Sequence, residues 1–269
     1  MSSMPAFAKI NLALVVGPLR SDGKHEVATV LQAIDLHDDI ELEPASVLTV
    51  EGFPEDTLVR GALEALAETS GASPSWRVRI GKRIPVAAGL GGGSSDAAAA
   101  LQLANALLPK PLKLGKLHEI AARLGADVPF FLHGGSQLAT GDGTALEPLE
   151  LPDDYCVLLV RPGESKKSTR AVYHRFDDRE GAAGFDERRA ALLEALQRVE
   201  RSTDLANLPK NDLASSPVAE NLERLGAFRA EVTGAGPVVY GLFEHAEDAQ
   251  RAAARLAGTG QTWIVRPRG

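Results

Sequence analysis

Apolar and polar positions along this chain fall into three kinds of run. Residues 76–80 alternate as Trp, Arg, Val, Arg, Ile, which predicts a strand with one face turned inward. Residues 6–16 also read as a strand, but Lys9 and Asn11 interrupt its apolar positions and give it a polar face. Shorter strands are predicted at 27–33, 39–43, 47–51, 137–140, 156–160, 229–232, 238–243 and 262–265. Helical spacing marks 57–68, where Leu58, Ala62, Ala65 and Leu66 share one side, and also 114–124, 185–199, 217–225 and 246–257. The third kind is 94–108, almost continuously Ala and Leu, opened by Ser94, Ser95 and Asp96, which suit a helix start.

A shift of composition at 148–152, rich in proline, predicts two domains, 1–150 and 151–269. Beyond it the order is strand, helix, helix, strand, strand, helix, strand. That order suits an α+β layer on one side of an antiparallel sheet.

Composition narrows the function. Net charge is -7, so nucleic acid and anionic membranes are not expected partners, and any phosphate site must be built locally. The one cysteine, Cys156, permits no internal disulfide and no cysteine metal site, which fits a reducing cytoplasmic setting. Apolar runs are too short to span a bilayer.

The candidate chemistry begins with residues 85–95, PVAAGLGGGSS. Glycines without Cβ can take positive φ and let an anion approach the backbone, where successive N–H groups form a nest. The helix that follows adds its positive end. No lysine follows the glycines as a P-loop requires, and the spacing of a dinucleotide fingerprint is absent.

Residues 85–99 resemble the second motif of the GHMP kinases, the superfamily of galactokinase, homoserine kinase, mevalonate kinase and phosphomevalonate kinase. Residues 6–12, AFAKINL, resemble the first motif, and 232–243, VTGAGPVVYGLF, the third. With 22–25, DGKH, and 125–131, GADVPFF, the set is similar to the branch that phosphorylates a cytidyl diphosphate sugar alcohol for non-mevalonate isoprenoid synthesis. The resemblance implies an α+β, two-domain fold. Its N-terminal domain would be like ribosomal protein S5 domain 2, and its C-terminal domain ferredoxin-like.

The resemblance also assigns residues. ATP would lie on Pro85, Val86, Ala87, Ala88, Gly89, Leu90, Gly91, Gly92, Gly93, Ser94 and Ser95. Asp127 would be the catalytic base, with Lys9 beside it to orient the hydroxyl and stabilise transferring charge. A lysine among apolar neighbours needs such a partner. Asn11 and His25 would contact the substrate, and Tyr173 would stack on its base. Lys24 stands where the family usually has a tyrosine, and Thr57 where it usually has an asparagine at adenine. Mg2+ would accompany ATP; no metal-ligating residue is assigned, although Ser95 is a candidate. The alternatives are a mevalonate-type or homoserine substrate on the same scaffold, or a non-catalytic nucleotide sensor. A sensor would be expected to have lost Lys9 or Asp127.

Overall fold

Residues 1–53, 56–163 and 168–269 are described in the computed structural model of the chain. It opens with two long strands, β1 (Ser2–Leu19) and β2 (His25–Pro44), which pair with each other. Next come β3 (Thr49–Glu51), α1 (Thr57–Ser70), β4 (Trp76–Gly81), α2 (Gly92–Ala106), α3 (Leu114–Leu124) and the single turn α4 (Phe130–His133). Strands β5 (Ser136–Gly141), β6 (Ala145–Leu149) and β7 (Cys156–Pro162) lead to α5 (Thr169–Asp178), α6 (Phe185–Leu196) and a 3-10 turn at Ser202–Asn207. The chain closes with α7 (Pro217–Arg224), β8 (Arg229–Val232), β9 (Val239–Phe243), α8 (Ala246–Arg255) and β10 (Gly260–Val265).

These elements form two compact units, each built from separated stretches of sequence. The first holds 1–8, 36–86 and 91–134; the second holds 9–35, 87–90 and 135–269.

In the first unit the end of β2 pairs antiparallel with β4, and β3 lies parallel to β4. The alternation in β4 is realised: Trp76, Val78 and Ile80 are buried, while Arg77 and Arg79 face water. Helix α1 begins at Asp56, whose Oδ1 accepts the Val59 amide at 2.9 Å, and ends at Gly71 in the left-handed region. Residues 97–101 of α2 are buried without a break. Small alanines let neighbours pack against α2 on several sides, so it carries no one-sided apolar stripe. Leu63 and Leu66 of α1, Ile40 and Val78 of the sheet, and Ile120 of α3 complete this core.

In the second unit the beginning of β2 pairs with β5, and β5 with β6, all antiparallel. A separate antiparallel sheet has the order β10-β7-β9-β8. Numbered from β7 in chain order, this is 4-1-3-2, the ferredoxin-like arrangement that the resemblance implies. Helices α7 and α8 cover it through Ala219, Leu222, Ala249 and Ala252.

Three sequence expectations change. The strands expected at 27–33 and 39–43 are one continuous β2. Polar Asp35, His37 and Asp38 break the apolar pattern there without breaking the strand. Helix α2 begins at Gly92 rather than Ser94. Elements α4, α5 and β6 were not expected.

Candidate active site

The glycine run is a left-handed turn followed by a helix. Gly89 has φ 82° and Gly91 φ 72°, and Ala87, without a glycine's freedom, has φ 55°. Gly92 and Gly93, expected to serve as free positive-φ positions, are instead the first two residues of α2. Space is what Gly92 supplies: a Cβ there would lie 3.1 Å from Ile84 Cγ2 and 3.3 Å from Lys82 Nζ. Gly91 caps the helix without a side-chain bond, so the amides of the first turn are not taken by a capping side chain. Ser94 is half-buried, whereas Ser95 is buried and its amide bonds Gly91 O at 2.9 Å.

In the second unit, residues 88–90 rest on β1 and the third motif. Lys9 N donates to Leu90 O at 3.0 Å, and Val238 N to Ala88 O at 3.3 Å. A Cβ on Gly89 would stand 2.5 Å from Thr233 O. That position is restricted twice, by its positive φ and by the backbone beneath it. Gly234 sits equally close to the lysine: its Cβ would be 3.4 Å from Asn11 Oδ1 and 3.7 Å from Lys9 Nζ.

Lys9 is 3% exposed and its Nζ donates to Asn11 Oδ1 at 2.7 Å. Asn11 Nδ2 donates to Thr29 Oγ1 at 2.9 Å, and Thr29 Oγ1 to Ala13 O at 2.7 Å. The Thr233 hydroxyl accepts the Asn11 amide at 3.1 Å and lies 3.2 Å from Asn11 Oδ1. This network holds the ammonium in one place. Asn11 was expected to contact substrate; in the structure its Oδ1 accepts from Lys9 and its Nδ2 donates to Thr29.

Asp127 lies in the first unit, half-buried in the turn from Gly125 to Pro129 between α3 and α4. Val128 and Phe130 flank it, both with no exposed surface, and Val128 N closes the turn on Gly125 O at 3.2 Å. Two core anchors one and three residues on give the carboxylate a fixed backbone.

His25 and Tyr173 do come together, both in the second unit. Their rings are 5.0 Å apart with planes 30° off parallel, and Phe176 meets the His25 ring edge-on at 5.8 Å. His25 Nδ1 lies 2.8 Å from Gly17 O, and a carbonyl only accepts, so Nδ1 carries hydrogen. Nε2 then accepts in the neutral ring and donates only in the charged one; Asp177 Oδ1 lies 3.4 Å from it. Phe176 and Asp177 sit on α5, an element with no sequence expectation, and were not singled out. Lys24, which stands where the family usually has a tyrosine, pairs with Asp142 at 2.6 Å, in the turn between β5 and β6. Burial acts to raise the Asp142 carboxyl, but Lys24 and Thr144 outweigh it and bring it down to about 2.

Among the described residues no group of three or more His, Cys, Asp or Glu is placed to hold a metal ion. A kinase magnesium ion is bound largely by phosphate oxygens and water, with one or two protein oxygens, so the loop's amides fit the phosphates and the Ser94 hydroxyl offers an oxygen for a metal carried in by nucleotide.

Comparison with known proteins decides the family. Residues 57–135 match the GHMP kinases N terminal domain and 190–261 the GHMP kinases C terminal domain. The 4-diphosphocytidyl-2-C-methyl-D-erythritol kinase of Salinispora tropica is 40% identical, over 93% of this chain and 86% of its own. The chain belongs to that family of GHMP kinases. The kinase of the same name from Rhodococcus jostii is 39% identical over 96% of this chain and 89% of its own. A crystal structure of 4-(cytidine 5'-diphospho)-2C-methyl-D-erythritol kinase shares 34% identity and a TM-score of 0.80, with 100% of both chains covered. Methanococcus jannaschii mevalonate kinase has a TM-score of 0.77 at 14% identity, covering 100% of this chain and 98% of its own, a likeness of fold alone. Parts of the segments 6–12, 85–95 and 232–243 hold Lys9, the left-handed Gly89 and Thr233 in one bonded arrangement in the second unit.

Proposed function

We propose that this protein transfers the γ-phosphoryl group of ATP to the 2-hydroxyl of 4-diphosphocytidyl-2-C-methyl-D-erythritol, in the cytoplasm, for non-mevalonate isoprenoid synthesis. The observation that carries the reading is the near full-length similarity to kinases of that name, at 40% identity in one case. The His25–Tyr173 pair supports the cytidyl substrate, because it offers a ring face and an imidazole edge side by side. The family's two domains are assigned to 1–150 and 151–269.

Phosphoryl transfer needs the phosphates held, charge neutralised and the hydroxyl proton accepted. Residues 85–95 hold phosphate through backbone amides and the α2 N-terminus. Asp127 takes the proton as the hydroxyl oxygen bonds to the γ-phosphorus and the bond to the bridging oxygen of ADP breaks. Lys9, oriented by Asn11, stabilises negative charge on the group in transit. Ser94 or Ser95 would offer the protein oxygen for a Mg2+ ion brought with the phosphates, which would supply further charge neutralisation.

The test is a panel of alcohols offered with ATP and Mg2+, with ADP release and the position of the new phosphate measured. The expected result is turnover of the cytidyl substrate alone. Turnover of mevalonate or homoserine without the cytidyl compound would overturn the reading.

A further inference from the structure

Two adjacent residues outside the motifs, Asn211 and Asp212, bond to the backbone behind both recognition regions of the second unit. They lie between the 3-10 turn at Ser202–Asn207 and α7, where Asn211 bridges in parallel to Leu14 of β1 and Asp212 N donates to Leu14 O at 2.9 Å. Asn211 turns its side chain to the third motif. Its Nδ2 donates to Val232 O at 2.7 Å and to Gly234 O at 2.8 Å, and its Oδ1 accepts the Leu213 amide at 2.8 Å. The carboxamide therefore grips the carbonyls on either side of Thr233 and fixes the turn. The Thr233 hydroxyl accepts the Asn11 amide, its carbonyl lies against Gly89, and Gly234 is the residue whose Cβ would stand 3.7 Å from Lys9 Nζ.

Asp212 serves the other region. Its Oδ2 accepts the Val16 amide at 2.8 Å and Arg188 Nε at 3.2 Å. Arg188 Nη2 donates to Val16 O at 3.0 Å and to Gly181 O at 2.9 Å. One ion pair thus holds both the N–H and the C=O of a fully buried residue, through charge-assisted bonds. The next residue is Gly17, whose carbonyl lies 2.8 Å from His25 Nδ1. A Cβ on Gly17 would be 2.9 Å from the Phe185 ring, so β1 lies close against the start of α6, the helix that also carries Arg188.

We propose that Asn211 and Asp212 are positioning residues that divide the site between them: Asn211 sets the turn that supports Gly89 and Lys9, and Asp212, through Arg188 and Val16, sets the Gly17 carbonyl that fixes the His25 ring. The inference rests on the kinase reading with a cytidyl substrate. Each residue acts through backbone that it holds from behind. A carboxamide suits the first task, because two carbonyls need two donors and a neutral group places no charge behind the phosphates. A carboxylate paired with a guanidinium suits the second, because one amide and one carbonyl need an acceptor and a donor side by side. The consequences differ in kind. Misplacing a group of the transfer chemistry such as Lys9 by about 1 Å can cost about 10²-fold in rate. Loosening His25 weakens the hold on one substrate and leaves the transfer step alone.

The test is steady-state kinetics of the full chain with MgATP and the cytidyl substrate, each varied in turn, for the wild type, Asn211→Ala and Asp212→Ala, with the melting temperature of each. Asn211→Ala should lower kcat about 10–100-fold and raise the ATP KM, leaving the cytidyl KM within about 2-fold. Asp212→Ala should raise the cytidyl KM about 5–10-fold and leave kcat and the ATP KM within about 2-fold. If Asn211→Ala does not fold, Asn211→Ser, which keeps one donor, should show the same split at about 3-fold. If Asp212→Ala does not fold, Asp212→Asn, whose carboxamide oxygen can still accept the Val16 amide, should raise the cytidyl KM about 2–3-fold. A role in stability alone would lower the melting temperature and the active fraction with both KM values unchanged. That result, or an equal rise of both KM values in each variant, overturns the inference while the kinase reading stands. A wild type that turns over none of the panel of alcohols overturns the kinase reading, and the inference with it.

Discussion

In the proposed function, the phosphate loop and the His25–Tyr173 region solve recognition in opposite ways. Around the loop, the groups aimed at a ligand are backbone amides, and side chains such as Lys82, Asp38 and Thr233 work behind them. Around His25, ring side chains are gathered instead, with Phe176 and Gly17 O holding one ring in place. A phosphate is the same in every nucleotide, so a backbone cradle suffices if its geometry is rigid. A base is told apart by its ring face and edge, which only side chains can match. Substitutions should therefore act indirectly and broadly in the first region, and directly and selectively in the second.

The largest effect is expected at the two residues proposed for the transfer chemistry. Asp127→Asn should lower kcat by about 10²–10⁴-fold, with near-native folding by circular dichroism, because only the proton acceptor is lost. Lys9→Ala should lower it about 10²–10³-fold. Near-native turnover in either folded variant would remove that residue from the chemistry.

Gly89→Ala tests the rigid half of the comparison. The added Cβ would stand 2.5 Å from Thr233 O at a φ of 82°, so the backbone must shift. A loss of about 2–4 kcal/mol in urea unfolding and a raised KM for ATP are expected, with the cytidyl KM unchanged. A raised cytidyl KM with an unchanged ATP KM would break the comparison.

Asp96 adds a pH signature to the same half. Burial raises its carboxyl to about 7, so between its unfolded value and that point the folded chain holds a proton that the unfolded chain releases. Stability from this group is therefore present at acid pH and lost as pH rises from about 4 to 7, by an amount on the order of a few kcal/mol. Asp96→Asn should flatten that part of a melting-temperature profile.

Tyr173→Ala tests the selective half. Losing a stacking face should weaken the cytidyl substrate by about 1–3 kcal/mol, seen as a raised KM for it alone. Smallest of all, Lys24→Ala removes a half-exposed ion pair and should change stability by less than about 1 kcal/mol in thermal melts. A larger change in cytidyl KM would give Lys24 a substrate role that its Asp142 contact does not suggest.

Local features were legible in the sequence where one stretch of chain carried its own reason. Trp76, Val78 and Ile80 alternate because a single face is buried, and the loop glycines precede the helix they feed. The family motifs singled out Lys9, His25 and Asp127 as candidates without any structure. What could not be read was set by distant partners. Asp38 and Lys82 are 44 positions apart, and each alone looks like a surface charge. The polar centre of β2 hid the continuity of the strand, and α4, with four residues, is too short to show a period. Asp177 and Phe176 matter only once α5 turns them toward His25, and the α5 sequence is too polar to announce a packed face.

Strand β2 has one more consequence. It pairs with β5 through Val27–Gln32 and with β4 through Asp39–Pro44, so one unbroken ribbon of backbone is shared by both units. Neither unit is a contiguous peptide that could be inherited, excised or exchanged by a single crossover.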